Sequence, residues 1–136
     1  MLEMSAEVYL LDTSAWLTLI EDESGADRVE KILRSVRVLV PWMVLLEIQY
    51  VTRRGQGENE ADRRYAYIRN SPVDILWEID EPILLTAARM KATHTISVAD
   101  AMIAAYTQRY EAILVHKDPE FEPLSGEIRL ETLPYK

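Results

Sequence analysis

Four acidic residues of this chain stand in surroundings where a carboxylate is unusual. Asp12 directly follows the apolar run Val8-Tyr9-Leu10-Leu11, and Asp118 lies just past a second apolar run at residues 112–115. Glu47 and Asp100 each lie inside a stretch that is otherwise nearly all apolar. An ionised carboxylate in apolar surroundings is costly unless it is paired or coordinates a metal. Together the four acids indicate a candidate site.

Each acid also has a structural interpretation when it is taken alone. Three of them fit the start of a helix. Asp12 fits an N-cap, Ser97-x-x-Asp100 fits a loose capping box, and Asp118-Pro119 fits an N-cap followed by proline. Glu47 is harder to explain in this way, because it requires a Lys or Arg partner from elsewhere in the chain. Both interpretations stay open for each residue.

The combined charge of four converging carboxylates would need compensation. At an effective dielectric near 20 and separations of about 6 Å, each pair costs roughly 3 kcal/mol, and six pairs cost on the order of 15 kcal/mol. Such a cluster must take up protons or bind a cation. The chain has no cysteine, and His94 and His116 lack the spacing of a paired-histidine site, so oxygen ligands favour Mg²⁺ or Mn²⁺ over zinc.

Composition places this chain of 136 residues among ordinary globular proteins, with 49% hydrophobic and 28% charged residues. The net charge of −8 means that a polyanion would require a local basic surface or a metal ion. The Arg-rich stretches 53–54 and 63–69 are the best candidates for that surface, although such faces are usually solvated. The absence of cysteine, of a signal peptide and of a membrane segment leads us to expect a cytoplasmic protein.

Strand and helix patterns alternate along the chain. Apolar runs predict strands at 8–11, 38–40, 73–76 and 112–115, with a short edge strand at 128–130. Helical periodicity predicts helices at 15–20, from Ser24-Gly25 through Val36, and at 42–51, 58–69, 81–91 and 97–110. This alternation predicts one α/β domain, residues 1–136, with a mainly parallel sheet of four to five strands covered by helices. Ligands of such sheets bind at the carboxyl ends of the strands, where Asp12 and Asp118 lie.

Four segments in order resemble the signature of PIN-domain nucleases, and most closely that of VapC-type toxins of toxin–antitoxin pairs. They are 10–15 (LLDTSA), 40–48 (VP and then EI), 97–105 (SVADAMIAA) and 114–121 (LVHKDPEF). The resemblance spans roughly residues 7–132 and implies a three-layer PIN-like fold. It also implies a Mg²⁺- or Mn²⁺-dependent ribonuclease whose catalytic and metal-binding acids are Asp12, Glu47, Asp100 and Asp118.

The resemblance extends to residues that support the acids. Thr13 or Ser14 would supply a hydroxyl beside the site, and Ser97 would help to hold Asp100. His116 departs from the family pattern, which usually has Thr or Ser at that place. Within this hypothesis Asp12, Glu47 and Asp100 hold the metal directly or through water, and Asp118 lies further out or holds a second ion.

The resemblance also implies partners, namely an RNA substrate, a cognate antitoxin and a second copy of the chain. The antitoxin would place an Arg or Lys among the carboxylates from a groove formed by Trp16, Trp42 and the second helix. One alternative is a non-catalytic PIN-fold binding module. A receiver or phosphotransferase domain is disfavoured because Thr13-Ser14, rather than further acids, follow Asp12.

Overall fold

A parallel five-stranded sheet forms the centre of the protein. The computed structural model describes residues 7–135, so the predicted domain limits at 1–6 and 136 lie outside the described part. The strands are β1 (Val8–Leu11), β2 (Arg37–Pro41), β3 (Asp74–Leu76), β4 (Ile113–His116) and β5 (Arg129–Thr132). Their order is β3-β2-β1-β4-β5, and every neighbouring pair is parallel.

Helices cover both faces of this sheet. They are α1 (Thr13–Ile20), α2 (Ala26–Ser35), α3 (Trp42–Gln56), α4 (Glu58–Arg69), α5 (Glu81–Thr93) and α6 (Val98–Arg109), with a short 3₁₀ helix at Pro119–Leu124. Successive residues of a strand point to opposite faces, and Leu10 and Leu11 are both fully buried, as are Leu39 and Val40. The predicted three-layer α/β fold is therefore confirmed.

The strand order reverses between β1 and β4. From β1 the chain builds the sheet in one direction through β2 and β3, and then crosses to the other side of β1 for β4 and β5. The segments that follow β1 and β4 therefore diverge beyond the carboxyl ends of these strands. Where they begin to diverge, the backbone N–H of Asp12 donates to the carbonyl of Val115 at 3.2 Å. Crevices at such reversal points are the usual ligand sites of parallel sheets.

Two helices differ from the sequence-based prediction at their ends. Helix α3 continues through Arg53, Arg54 and Gly55 to Gln56, because the positive φ of 94° that reverses the chain belongs to Gly57. The helix predicted at 97–110 begins at Val98, because Ser97 is its N-cap, and it ends at Arg109.

Two side chains are more buried than the sequence predicted. Arg64 was assigned to a solvated face but is only 6% exposed, and its guanidinium bonds to Glu60 at 2.8 Å and to Glu21 at 3.0 Å. Trp16 was assigned to a partner groove but is fully buried, with its ring edge-on to Tyr67. Trp16 therefore belongs to the core, and the prediction that it lines a partner groove is wrong.

None of the helices within residues 7–135 has the length and apolar character needed to cross a bilayer.

The buried guanidinium of Arg64 should contribute measurably to stability. We expect Arg64→Gln to lower the free energy of unfolding by on the order of 2 kcal/mol, since it removes charge-assisted hydrogen bonds from a water-poor site. Arg63→Gln is the matched control, because Arg63 also binds Glu60 but is exposed, and it should have a much smaller effect. Urea denaturation measures both, and equal losses would contradict the structural role of Arg64.

Candidate active site

Asp12 lies at the end of β1 and caps α1. Its Oδ1 accepts the backbone N–H of Ala15 at 2.8 Å and the hydroxyl of Ser14 at 2.7 Å. The residue is only 3% exposed. The capping interpretation is therefore correct as local structure, and the cap also fixes the carboxylate at the reversal point of the sheet.

The two hydroxyl residues after Asp12 connect α1 with other elements of the site. Ser14 Oγ accepts the backbone N–H of Lys117 at 2.8 Å while it donates to Asp12, so it ties the start of α1 to the segment after β4. Thr13 Oγ1 donates to Glu47 Oε1 at 2.5 Å. Both predicted hydroxyls thus contact a predicted carboxylate.

Glu47 reaches the site from α3 and is half-buried. Its hydrogen-bond partner is the Thr13 hydroxyl, and no ion pair among residues 7–135 involves Glu47. The cationic partner that a structural explanation of Glu47 requires is therefore missing from the described residues. This leaves its negative charge directed at the other carboxylates.

Asp100 lies in the first turn of α6. Ser97 Oγ accepts the backbone N–H of Asp100 at 3.0 Å and so caps this helix. The predicted support of Asp100 by Ser97 therefore acts through the backbone. The Asp100 carboxylate belongs to a group with those of Asp118 and Glu120, in which one oxygen of each lies within 4.8 Å of the others.

Asp118 and Glu120 lie in the segment that follows β4. Asp118 Oδ1 accepts the backbone N–H of Glu120 at 2.9 Å, as expected for an N-cap of the 3₁₀ helix. Sequence reasoning missed Glu120. The signal was the spacing Asp118-x-Glu120 in the first turn of a capped helix, which places both acids at the same end of that helix.

The charges of these residues interact. Burial, assisted by repulsion from Asp100 and Asp118, raises the pKa of Asp12 from 3.8 to about 7. Burial, followed by repulsion from Asp118, Glu47 and Glu120, raises the pKa of Asp100 to about 7 as well. The structure therefore brings all four predicted acids and Glu120 into one electrostatic cluster.

His116 supports the cluster from inside the protein. Its Nδ1 accepts the backbone N–H of Asp118 at 3.1 Å, and its Nε2 lies 3.2 Å from Thr132 Oγ1. The ring packs edge-on against Phe121, and burial lowers the pKa of His116, which keeps it neutral. His116 is fully buried and does not line the site, but it orients the backbone that carries Asp118.

The donor set fits a divalent cation. All five acids supply oxygen, the ligand type that Mg²⁺ and Mn²⁺ prefer. Repulsion from neighbouring carboxylates adds to the effect of burial in raising the pKa values of Asp12 and Asp100. A bound cation would relieve that repulsion directly.

Comparison with known proteins identifies the family. Residues 9–126 match the model of the PIN domain, and the chain therefore belongs to the PIN domain family. No curated protein matches the sequence. The family resemblance inferred from the four sequence segments is confirmed.

Several solved structures share the fold. VapBC2 from Rickettsia felis, bound to a DNA fragment from their promoter, has a TM-score of 0.76 at 17% identity, covering 93% of this chain and 99% of that chain. VapBC-1 from nontypeable Haemophilus influenzae has a TM-score of 0.71 at 20% identity, with coverages of 92% and 97%. VapC20 from Mycobacterium tuberculosis, a sarcin-ricin loop cleaving toxin, has a TM-score of 0.71 at 18% identity, with coverages of 94% and 100%. At identities of 17–20%, the likeness of these structures to the chain is one of fold.

Removing one charge from the cluster should stabilise the metal-free protein. The pKa of Asp100 in the folded state, about 7, lies above its ordinary value of 3.8, so the wild type loses stability as pH rises between these values. Asp100→Asn avoids that loss. We expect its gain in the free energy of unfolding, relative to wild type, to grow from about pH 4 to about pH 7 and then stay constant.

Urea denaturation in EDTA at several pH values measures this difference. Asp27→Asn is the control, because Asp27 is exposed on α2 and should show no comparable gain. If Asp100→Asn were destabilising across the whole range, Asp100 would be a structural residue of the helix start.

Proposed function

We propose that this protein is a Mg²⁺- or Mn²⁺-dependent ribonuclease and the toxin of a toxin–antitoxin pair. The observation that carries the proposal is the convergence of Asp12, Glu47, Asp100 and Asp118 at the reversal point of the sheet, with Asp12 and Asp100 protonated more easily than ordinary carboxyls. Membership of the PIN domain family and the toxin structures that share the fold support it. Under this proposal the chain acts as one domain in the cytoplasm, where its RNA substrate is found.

The metal-holding residues in this proposal are the four predicted acids together with Glu120. When bound, a divalent ion activates water as a nucleophile and neutralises charge on the scissile phosphate. Thr13 and Ser14 orient the carboxylates of Glu47 and Asp12 through their hydroxyl groups.

The backbone around the site is also fixed. Ser97 caps the helix that presents Asp100, and His116 holds the amide of Asp118. These contacts keep both carboxylates in position while substrate binds and leaves. The site therefore depends on supporting residues from α1, α6 and the segment after β4.

The choice of RNA as the substrate rests on the chemistry of the site and on the comparisons. A cluster of carboxylates repels a phosphodiester unless a cation lies between them, and phosphodiester hydrolysis is the reaction for which such a cation is suited. One of the structures with this fold belongs to a toxin that cleaves the sarcin-ricin loop. We extend cleavage of RNA, but not that particular target, to this chain.

Cleavage should require a divalent metal and the acids. We expect the purified chain to cut single-stranded or loop RNA with Mg²⁺ or Mn²⁺, and EDTA to abolish cleavage. Asp100→Asn and Glu47→Gln should lower kcat by about 100-fold or more, because each removes a charged ligand. Denaturing gels with labelled RNA measure the rates.

Glu30→Gln is the matched control, since Glu30 is an exposed acid on α2 and should cut at the wild-type rate. Cleavage that persists in EDTA would overturn metal dependence. A chain that binds RNA but cuts none of it with any divalent ion would instead be a binding module of PIN fold.

The proposed antitoxin acts at the same carboxylates. A cavity of about 560 Å³ adjoins the site through Ser14 and has apolar walls from Leu17, Pro119 and Tyr135. It lies between α1 and the segment after β4, and we propose it as the partner groove in place of one that includes Trp16. A partner segment seated there could place an Arg or Lys among the acids and substitute for the charge of the metal. We also propose a homodimer, the arrangement implied by the family.

Binding of the partner and of the metal should therefore compete. We expect the complex with the antitoxin to bind Mn²⁺ at least about tenfold more weakly than the free chain and to leave RNA uncut. Calorimetric titration of Mn²⁺ into both forms measures this. A partner that binds tightly while Mn²⁺ affinity and cleavage stay unchanged would show that it covers another surface.

A further inference from the structure

The arginines of this acidic chain are nearly all neutralised by its own carboxylates. Of the eleven arginines, nine have a carboxylate within ion-pair distance among residues 7–135. The two without one are Arg54 and Arg69. Each instead lies over an exposed aromatic ring, Arg54 at 5.1 Å from the centre of Tyr50 and Arg69 at 5.2 Å from the centre of Trp77.

These two pairs lie on neighbouring elements. Tyr50 and Arg54 belong to α3, Arg69 ends α4, and Trp77 follows β3. The segment from residue 48 to 70 carries five arginines and three acids, which makes it net positive in a chain of net charge −8. A polyanion would therefore meet its most favourable potential on this surface.

The Tyr50–Arg54 pair is aligned with the candidate active site. Glu47, Tyr50 and Arg54 are spaced i, i+3 and i+7, so they lie on one face of α3. Seven residues of helix place Arg54 about 10 Å from Glu47 along the axis. An RNA strand that leaves the carboxylates along α3 would consequently pass Tyr50 and then Arg54.

The Trp77–Arg69 pair adjoins the same helix across a groove. This groove, of about 380 Å³, is lined by Trp42, Leu45, Leu46, Gln49, Tyr65 and Trp77. Leu45, Leu46 and Gln49 of α3 form one wall of this groove, on a helix that also carries Glu47. Tyr50 and Trp77 are 41% and 52% exposed although an arginine lies over each ring.

We propose that Tyr50–Arg54 and Trp77–Arg69 form a binding surface for the single-stranded RNA that flanks the scissile phosphate. The bases would stack on the two rings, and the guanidinium groups, which lack carboxylate partners, would contact the backbone phosphates. The surface would bind RNA with little dependence on sequence, because every base can stack. This inference rests on the proposed ribonuclease function and adds how the substrate strand is held.

Binding to a labelled single-stranded RNA tests the surface. Measurements use the full chain with Asp100→Asn, which prevents cleavage, in Mg²⁺ and at several KCl concentrations. Arg54→Gln and Arg69→Gln should each weaken binding at least about fivefold and reduce the slope of log Kd against log salt by about 0.7. Tyr50→Ser and Trp77→Ser should weaken binding to a similar extent with the slope unchanged, since they remove stacking rather than charge.

Two exposed residues serve as controls. Arg34→Gln removes an arginine of α2, and Tyr110→Ser removes an exposed ring that follows α6. Both should bind as the parent protein does. If the four surface variants also bind like the parent, the proposal is wrong. It is equally wrong if the parent chain does not bind RNA.

The cleavage reaction separates this inference from the proposed function. In the wild-type background the four variants should raise KM while kcat stays near its original value. Normal KM in all four, with normal cleavage, would overturn the surface and leave the ribonuclease intact. RNA binding that depends on these residues without any cleavage would overturn the ribonuclease and leave the surface. Light scattering gives the remaining outcome, because a loss of dimer without a change in KM would assign this face to a second copy of the chain.

Discussion

Repulsion between carboxylates at the carboxyl ends of the central strands is the constraint on which the rest of this structure depends. The fold keeps Asp12 and Asp100 close to Asp118, Glu47 and Glu120 although burial and like charge disfavour their ionised forms. Packing elsewhere must compensate for that cost, and the sheet core is fully buried on both faces. Sites of this kind trade stability of the free protein for affinity toward a cation.

Supporting residues show how the arrangement is maintained. Asp12 and Asp118 are both helix caps and members of the cluster, so the local hydrogen bonds that start each helix also aim a carboxylate. Ser14 joins α1 to the segment after β4, and buried His116 accepts the backbone N–H of Asp118 in that segment. The structural and the functional interpretations of these acids therefore describe the same contacts.

Much of the fold and site follows from local sequence patterns, and the differences have physical causes. Apolar runs predict β1, β2 and β4 because these central strands are buried on both faces. The acids are recognisable because a charged side chain in apolar surroundings is costly. Arg64 could not be placed from sequence, since its burial depends on Glu21, which is distant in the chain. Trp16 is a second example, because α4 helps to bury it and the rings of Trp16 and Tyr67 pack edge-to-face. Glu120 joins the cluster only through the tight turn at Asp118.

The most direct test of the central claim is to locate the metal. A crystal grown with Mn²⁺ should show anomalous density between the carboxylates of Asp100 and Asp118, within reach of Asp12, and this density should disappear in Asp100→Asn. The claim that this cluster binds a divalent cation would be contradicted if density were absent from it at saturating Mn²⁺, or if the density persisted unchanged in the variant.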